Sequence, residues 1–173
     1  LGAAAGGYLE PVKIRDAVAK DAEEMMAIYN PVVLSSTATF DLVPRSLAEQ
    51  QEWIENRSGA RIVLVAVNDA GLVAGYSALS PYRDRAAYAT TVEDSVYVHE
   101  EFQQLGIGKL LLSSLIDRGR AHGFHAMMAR IVASHEASIA LHSQCGFEAV
   151  GYEREVGRKF GKWLDVTLME LLL

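Results

Sequence analysis

Ser95-Val96-Tyr97-Val98-His99-Glu100-Glu101-Phe102-Gln103-Gln104-Leu105-Gly106-Ile107-Gly108-Lys109-Leu110-Leu111-Leu112 changes periodicity halfway along. The β-branched and aromatic start, Val96-Tyr97-Val98, reads as a strand. An acidic turn follows at His99-Glu100-Glu101, then a glycine-bearing segment, then an apolar helical pattern from Ile107. A strand, a glycine loop and a helix start in that order form an anion cradle. The first-turn N–H groups of a helix have no carbonyl partner, and the helix dipole favours negative charge there. Glycine at Gly106 and Gly108 would let the backbone come close to phosphate oxygens. The spacing excludes two common phosphate binders. A P-loop requires G-x-x-x-x-G-K-[ST], which Gly106-Ile107-Gly108-Lys109-Leu110 does not supply. A dinucleotide fingerprint requires a third glycine where this chain has Leu111.

Outward from this stretch, strands and helices alternate. Val12–Asp16 reads as a strand, and Asp21 is a candidate cap for a helix carrying Met25, Met26, Ile28 and Tyr29, ended by Pro31. Leu34–Pro44 is polar and lacks helical periodicity. Ser46-Leu47-Ala48-Glu49 is a capping box that opens a helix to Arg57. Arg61–Asn68 and Leu72–Leu79 flank the turn Asn68-Asp69-Ala70-Gly71 and should form an antiparallel hairpin. Tyr88–Val98 is the next strand. The helix after the glycine loop is expected to reach His122, with Gly123 ending it. Then come a strand at Met127–Val132, a helix at Ala137–Gln144 stopped at Gly146, and strands at Glu148–Tyr152 and Trp163–Leu171. An antiparallel N-terminal half that leads into a βαβ unit predicts an α/β (α+β) fold: a mixed, mostly antiparallel central sheet with helices on both faces. Residues 12–173 are expected to be one domain. Residues 1–11, beginning L-G-A-A-A-G-G, lack the basic and apolar regions of a signal peptide and are expected to be a disordered or non-native leader.

Composition narrows the class. The chain has 173 residues, enough for one well-packed core, and 50% of them are apolar. No uninterrupted apolar run approaches the ~18–20 residues of a membrane span. The net charge of −6 argues against a general nucleic-acid binder. Cys145 is the only cysteine, so an internal disulfide and cysteine-based zinc clusters are excluded, and a cytoplasmic compartment is the default. No metal is expected.

The pattern Gln103-x-x-Gly106-x-Gly108 after a V-Y-V strand resembles the acyl-coenzyme A pyrophosphate loop of the GCN5-related N-acetyltransferase (GNAT) family. Ala137-Ser138-Ile139-Ala140-Leu141-His142 with Gly146-Phe147 resembles that family's second cofactor-side helix and the strand after it. Three further segments are similar to a narrower branch, the phosphinothricin and L-methionine sulfoximine N-acetyltransferases. They are Thr91-Val92-Glu93-Asp94-Ser95-Val96-Tyr97-Val98, the block Val156-Gly157-Arg158-Lys159-Phe160-Gly161-Lys162-Trp163-Leu164-Asp165-Val166, and Thr39-Phe40.

The resemblance implies the GNAT fold, acetyl-CoA as co-substrate and a small amino-acid acceptor such as methionine sulfoximine, methionine sulfone or phosphinothricin. It also implies direct transfer without an enzyme-bound intermediate, and a homodimer. No membrane or nucleic-acid partner is expected. Cofactor contacts fall on Val96, Tyr97, Val98, Gln103, Gln104, Leu105, Gly106, Ile107, Gly108, Lys109 and His135. The backbone of residues 96–98 would bond the pantetheine arm like an added strand, and an N–H there would polarise the thioester carbonyl. Tyr97's ring itself reads as packing. Glu93 is the candidate general base. Its strand is expected to bury both faces, so a carboxylate there is costly unless it faces a cavity, and partial burial would raise its pKa towards a useful range. A Glu paired with an Arg is the alternative.

Arg83 and Arg85 follow a strand end where a substrate mouth is expected, and guanidinium forks suit a carboxylate or phosphinate. A solvated charged turn is the competing reading. Phe40, Glu93, Asp94 and Ser95 complete the substrate-side set, though Phe40 is equally consistent with a local staple. His142 stands where many relatives have a Tyr acid for the departing thiolate, and an imidazole could protonate it. A structural histidine is the alternative. His135 replaces the family's Asn, and Gln103 replaces the commoner Arg, a loss of charge that Lys109 would offset in part. Two other functions remain open: a peptide or protein N-terminal acetyltransferase, which needs an open groove, and a non-catalytic acyl-CoA-binding sensor.

Overall fold

The computed structural model describes residues 12–57 and 61–173; the leader expected at 1–11 lies outside them. Seven strands form one sheet in the order β1-β2-β3-β4-β5-β7-β6. They are β1 Lys13–Asp16, β2 Val63–Val67, β3 Val73–Pro81, β4 Thr91–Val98, β5 Ala126–Val132, β6 Glu148–Lys159 and β7 Lys162–Leu172. The helices are α1 Ala22–Ser35, α2 Leu47–Glu55, α3 Ile107–Ala121 and α4 Glu136–Gln144. Every neighbouring pair is antiparallel except β4–β5, which is joined through α3 as a βαβ unit. The mixed, mostly antiparallel sheet expected from the sequence is therefore present.

Strand β2 shows why the sheet is covered on both sides. Its run V-L-V-A-V is almost wholly buried, as strands covered on both faces are. Side chains alternate across the pleat. Leu64 and Ala66 join one core with Leu111, Leu112 and Leu115 of α3, whereas Val63 and Val65 join another with Met25, Tyr29 and Val33 of α1. Each fully buried Leu or Met contributes on the order of 1.5–3 kcal/mol of transfer free energy.

Local signals decide the ends. Ser46 and Glu49 form the expected capping box: the Ser46 N–H donates to Glu49 Oε2 (2.7 Å) and the Glu49 N–H to Ser46 Oγ (3.3 Å). The 68–71 turn closes the expected hairpin, with the Gly71 N–H donating to the Asn68 carbonyl at 2.9 Å.

Four expectations need correction. Pro31 does not end α1, which continues through it to Ser35, held on either side by buried Ile28, Tyr29 and Val33. The residues around this proline face the central cavity, as described below. Asp21 stands at the head of α1 without capping it. Its carboxylate accepts two bonds from Arg15 (2.6 and 2.8 Å) and one from the Val18 N–H (2.9 Å). Strand β4 begins at Thr91, because Ala86–Tyr88 is a single 3-10 turn. Finally, β6 runs far beyond Tyr152, to Lys159, by taking an irregularity between Glu153 and Gly157 in its register with β7.

Gly75 on β3 lies against β4 so closely that an added Cβ would sit 2.8 Å from the Tyr97 carbonyl oxygen and 3.0 Å from Leu111 Cδ1. Gly75→Ala should therefore destabilise the protein by about 1–3 kcal/mol through overpacking, read as a lower urea midpoint at unchanged m-value; an unchanged midpoint would show that β3 and β4 can separate freely.

Candidate active site

The site begins with a missing partner. β4 pairs with β5 only over Thr91–Glu93, opposite Ala126–Met128, whereas β5 continues alongside β7 to Val132. From Asp94 onward the two parallel strands diverge. The β5-facing backbone edge of residues 94–98 then has no strand partner among the described residues. Backbone N–H and C=O groups held away from water require partners, so this edge suits an extended polar ligand that completes the ladder. A cavity of about 660 Å³ opens in the gap.

Pleat alternation distributes chemistry to its two sides. Val92, Val96 and Val98 belong with the α3-side core, and Tyr97 with the α1-side core. Glu93, Ser95 and Tyr97 accordingly face α1, while Asp94 faces α4. All four line the cavity with Val96, Val98, Gln103, His135, His142 and Phe40. β4 is thus only half-buried over most of its length, not covered on both faces as expected, because the cavity takes the place of one cover.

Glu93 lines the cavity from the α1-facing side of β4. Burial raises its pKa above the ordinary carboxylate value; Arg130 opposes this, Asp94 and Glu153 add to it, and Arg83 opposes weakly. The arginine-paired alternative is not what the geometry shows: Arg130 bonds Glu153 at 2.6 Å. Arg130 is a site residue that the sequence reading missed. It lines the cavity, and its signal was available as the single charge in the otherwise apolar strand A-M-M-A-R-I-V.

His142 and Asp94 are both buried and joined, Nε2 to Oδ2, at 3.0 Å. His142 Nδ1 lies 2.7 Å from the Ser138 carbonyl oxygen. Burial alone would lower the imidazole pKa. The Asp94 hydrogen bond and charge, with the Ser138 carbonyl, outweigh it and leave the value raised. Asp94, expected on the substrate side with Glu93, points instead to the opposite face, because adjacent strand residues cannot share one.

The glycine loop keeps its expected order. Gly106 precedes α3 with φ +83°, a left-handed conformation that favours glycine. The space around it is open, so backbone conformation rather than close approach explains this glycine. Gly108 has a packing reason: an added Cβ would lie 3.3 Å from Leu141 of α4. The first bond of α3 runs from the Leu110 N–H to the Gly106 carbonyl (3.1 Å), leaving the N–H groups of residues 107–109 directed out of the helix start. Gln103 lines the cavity and donates to the Val98 carbonyl at 3.4 Å. Gln104, Leu105, Gly106, Ile107, Gly108 and Lys109 continue from it outside the cavity lining. His135 precedes α4 without a side-chain cap bond. The free edge, the amide-rich helix start and the cavity beside them fit a ligand that joins a phosphate-like anionic group to an extended, amide-bearing arm.

Arg83 and Arg85 are not brought into the cavity. The Arg83 guanidinium lies over the rings of Tyr82 (5.0 Å) and Tyr88 (5.8 Å), a cation–π arrangement that holds it at the surface. Arg85 is exposed at the head of the 3-10 turn. Tyr97 does pack, as expected, with ring centroids 5.0 Å from Tyr29 and 5.2 Å from Tyr76.

The polar loop between α1 and α2 is tethered at several points. Asn30 bonds both ways with the Arg45 backbone (2.9 and 3.0 Å), and the Tyr29 hydroxyl reaches Thr39 (2.9 Å) and Asp41 (2.6 Å). Buried Lys159 donates to the Thr39 carbonyl at 2.9 Å. The Phe40 ring lies against the backbone of Gly157, where an added Cβ would meet it at 2.3 Å. Phe40 is thus both a wall of the cavity and a staple to the β6–β7 hairpin.

Comparison with known proteins gives one consistent result. The family profile described as acetyltransferase (GNAT) domain matches residues 14–168. An L-methionine sulfoximine/L-methionine sulfone acetyltransferase from Pseudomonas aeruginosa is 43% identical over 92% of this chain and 94% of its own length. A phosphinothricin acetyltransferase from Sinorhizobium meliloti, solved with acetyl-CoA, superposes with a TM-score of 0.89 at 41% identity, over 94% of this chain and 88% of its own. A ribosomal-protein-alanine N-acetyltransferase from Brucella melitensis superposes with a TM-score of 0.90 at 38% identity, over 93% and 99%.

The raised pKa of His142 has a definite sign for stability. Folding favours the protonated ring, so its contribution is complete below the unfolded value of about 6.5 and is lost as pH rises through the folded value. The difference in unfolding free energy between the parent protein and His142→Gln should therefore shrink between pH 6 and pH 9.5 in urea titrations. A difference that grows with pH would mean the ring is buried neutral.

Proposed function

The chain belongs to the GNAT acetyltransferase domain family, and from that premise we propose that it transfers the acetyl group of acetyl-CoA to the α-amino group of a small amino-acid-like acceptor. Methionine sulfoximine, methionine sulfone and phosphinothricin are the acceptors in view, and detoxification of such analogues is the role. The observation that carries this reading is the unpaired 94–98 edge of β4 beside Glu93, both lining one cavity. The β4 backbone holds the donor's amide arm, and an N–H of this edge polarises the thioester carbonyl. Glu93, its pKa raised by burial, takes the proton from the attacking amine directly or through water. His142 supplies a proton to the departing thiolate. Arg130, the cation lining the cavity, is suited to the acceptor's acidic group, with Arg83 acting from the rim through its charge.

A peptide N-terminal acceptor is the second reading, favoured by the likeness to the Brucella melitensis protein. The tethered loop with Phe40 narrows the approach and speaks for the small acceptor. Residues 12–173 act as one catalytic domain, with a cytoplasmic location in keeping with the single, unbonded cysteine. Among the described residues, no helix is long and apolar enough to cross a membrane.

The chain is proposed to work as a homodimer. β6 is an outer strand of the sheet, and Val150, Tyr152, Val156, Phe160 and Trp163 of the β6–β7 hairpin are exposed, the kind of apolar face that marks an interface. Light scattering should give about twice the 18.9 kDa chain mass, and Trp163→Glu should lower it; a monomeric parent protein would remove the dimer.

Purified protein with acetyl-CoA should release free thiol when given methionine sulfoximine, methionine sulfone or phosphinothricin. Absence of turnover with all three, together with acetylation of a peptide N-terminus, would transfer the assignment to the second reading. Glu93→Gln should reduce kcat about 10²–10⁴-fold with acetyl-CoA binding retained; a near-normal rate would remove Glu93 as the base.

A further inference from the structure

Adjacent carboxylates on a strand usually serve one face and solvent. Here Glu93 and Asp94 serve opposite sides of one cavity, and only Glu93 has been given work. Asp94 is buried, with side-chain exposure of 2%, and its Oδ2 meets His142 Nε2 at 3.0 Å. The other ring nitrogen, Nδ1, faces the Ser138 carbonyl at 2.7 Å. A carbonyl oxygen can only accept, so Nδ1 carries a hydrogen. A second hydrogen must lie between Nε2 and Oδ2, on one atom or the other. In either form the couple holds one more proton than a neutral histidine beside a carboxylate. The Phe147 ring packs nearly perpendicular to the imidazole, with centroids 5.0 Å apart. Asp94 Oδ1 is buried with no hydrogen-bond partner among the described residues, although Asp94, Ser138 and His142 all line the cavity.

We propose that Asp94 is a positioning residue that holds His142 doubly protonated, and that the Asp94–His142 couple is the proton store that neutralises the thiolate leaving in acetyl transfer. This rests on the acetyl-transfer reading above. In the step, the amine nitrogen forms a bond to the acetyl carbon and the carbon–sulfur bond breaks. The amine proton goes to Glu93, and the couple's extra proton goes to sulfur. Glu93 ends with one proton more and the couple with one fewer; exchange with solvent restores both. The two acid–base groups are thereby kept apart by the strand itself, one for the nucleophile and one for the leaving group. The other titratable groups that line the cavity are Glu93 and Tyr97 on β4, His99 and Glu100 just after it, Arg130 on β5 and His135 at the head of α4. Because the pair is coupled, its titration belongs to both residues together.

Nitrogen-15 spectra of histidine-labelled protein test this without turnover. At pH 7.5, where a free imidazole is mostly neutral, His142 in the parent protein should show both ring nitrogens protonated; Asp94→Asn should return it to the neutral pattern. A neutral His142 in the parent protein overturns the proposal, whether or not the variant folds. In kinetics with an accepted amino acid, Asp94→Asn should lower kcat about 10–100-fold, within the range of general acid catalysis. KM for acetyl-CoA should stay within about threefold, since nucleotide affinity lies elsewhere on the loop–helix cradle. The high-pH limb of the rate profile should move to lower pH, and His142→Gln with Asp94→Asn should be no slower than His142→Gln alone. An unchanged limb, or losses that multiply in the double variant, would overturn the role. If the acceptor panel fails altogether, the spectra still decide this inference; if the panel succeeds while Asp94→Asn is silent, only this inference falls.

Discussion

The parting of β4 from β5 after three paired positions is the constraint from which the site follows. A parallel pair that continued to the end of β4 would satisfy its backbone internally and leave no room for a ligand. Once the strands diverge, the polar edge of residues 94–98 must be satisfied by something else. That requirement creates both the cavity and its preference for a ligand with an amide-bearing arm. The two cores that flank the sheet keep the divergence fixed, with α3 packed on one face and α1 on the other. Gly75 brings β3 close enough to support β4 from its paired side.

The same strand separates the chemistry. Alternation sends Glu93 towards α1 and Asp94 towards α4, so two carboxylates one residue apart experience different surroundings. Glu93 is partly desolvated and has an opposing cation in Arg130. Asp94 is committed to an imidazole. Neither environment could be built on a helix or loop with the same economy of sequence, since only a pleat reverses direction at each residue.

Much of this was legible before any coordinates. The glycine loop, the capping box at Ser46 and the 68–71 hairpin each have strong local causes and are where the sequence puts them, as is the strand carrying Glu93 apart from its first three residues. The parts that were not legible depend on distant partners. Pro31 looked like a stop because its missing N–H is a local fact, whereas the buried residues that carry α1 past it are tertiary. The length of β6 was hidden because its pairing with β7 absorbs an irregularity near Glu155, whose φ is +50°. Chemistry and position make Arg83 a substrate-side candidate, and only the structure shows its guanidinium resting over Tyr82 and Tyr88, close in sequence. Asp94 lines the same cavity from the other face of the strand, since the alternation that gives Glu93 to one face denies that face to its neighbour. Arg130 is the one charge in the apolar strand A-M-M-A-R-I-V, and the strand pattern masks it.

The contact between Phe40 and Gly157 separates where a wall of the cavity stands from where its position is encoded. Phe40 lines the cavity, but its berth is the empty space of a glycine more than a hundred positions later in the chain, and Lys159 fastens the adjacent Thr39 from the same hairpin. A catalogue of cavity-lining residues would therefore misjudge how relatives differ, because residue 157 would be absent from it. Grafting the loop between such enzymes would carry the aromatic ring without its seat. The loop and the hairpin form one exchangeable module, inherited or transplanted together, even though four strands of the sheet, β2 to β5, lie between them in the sequence.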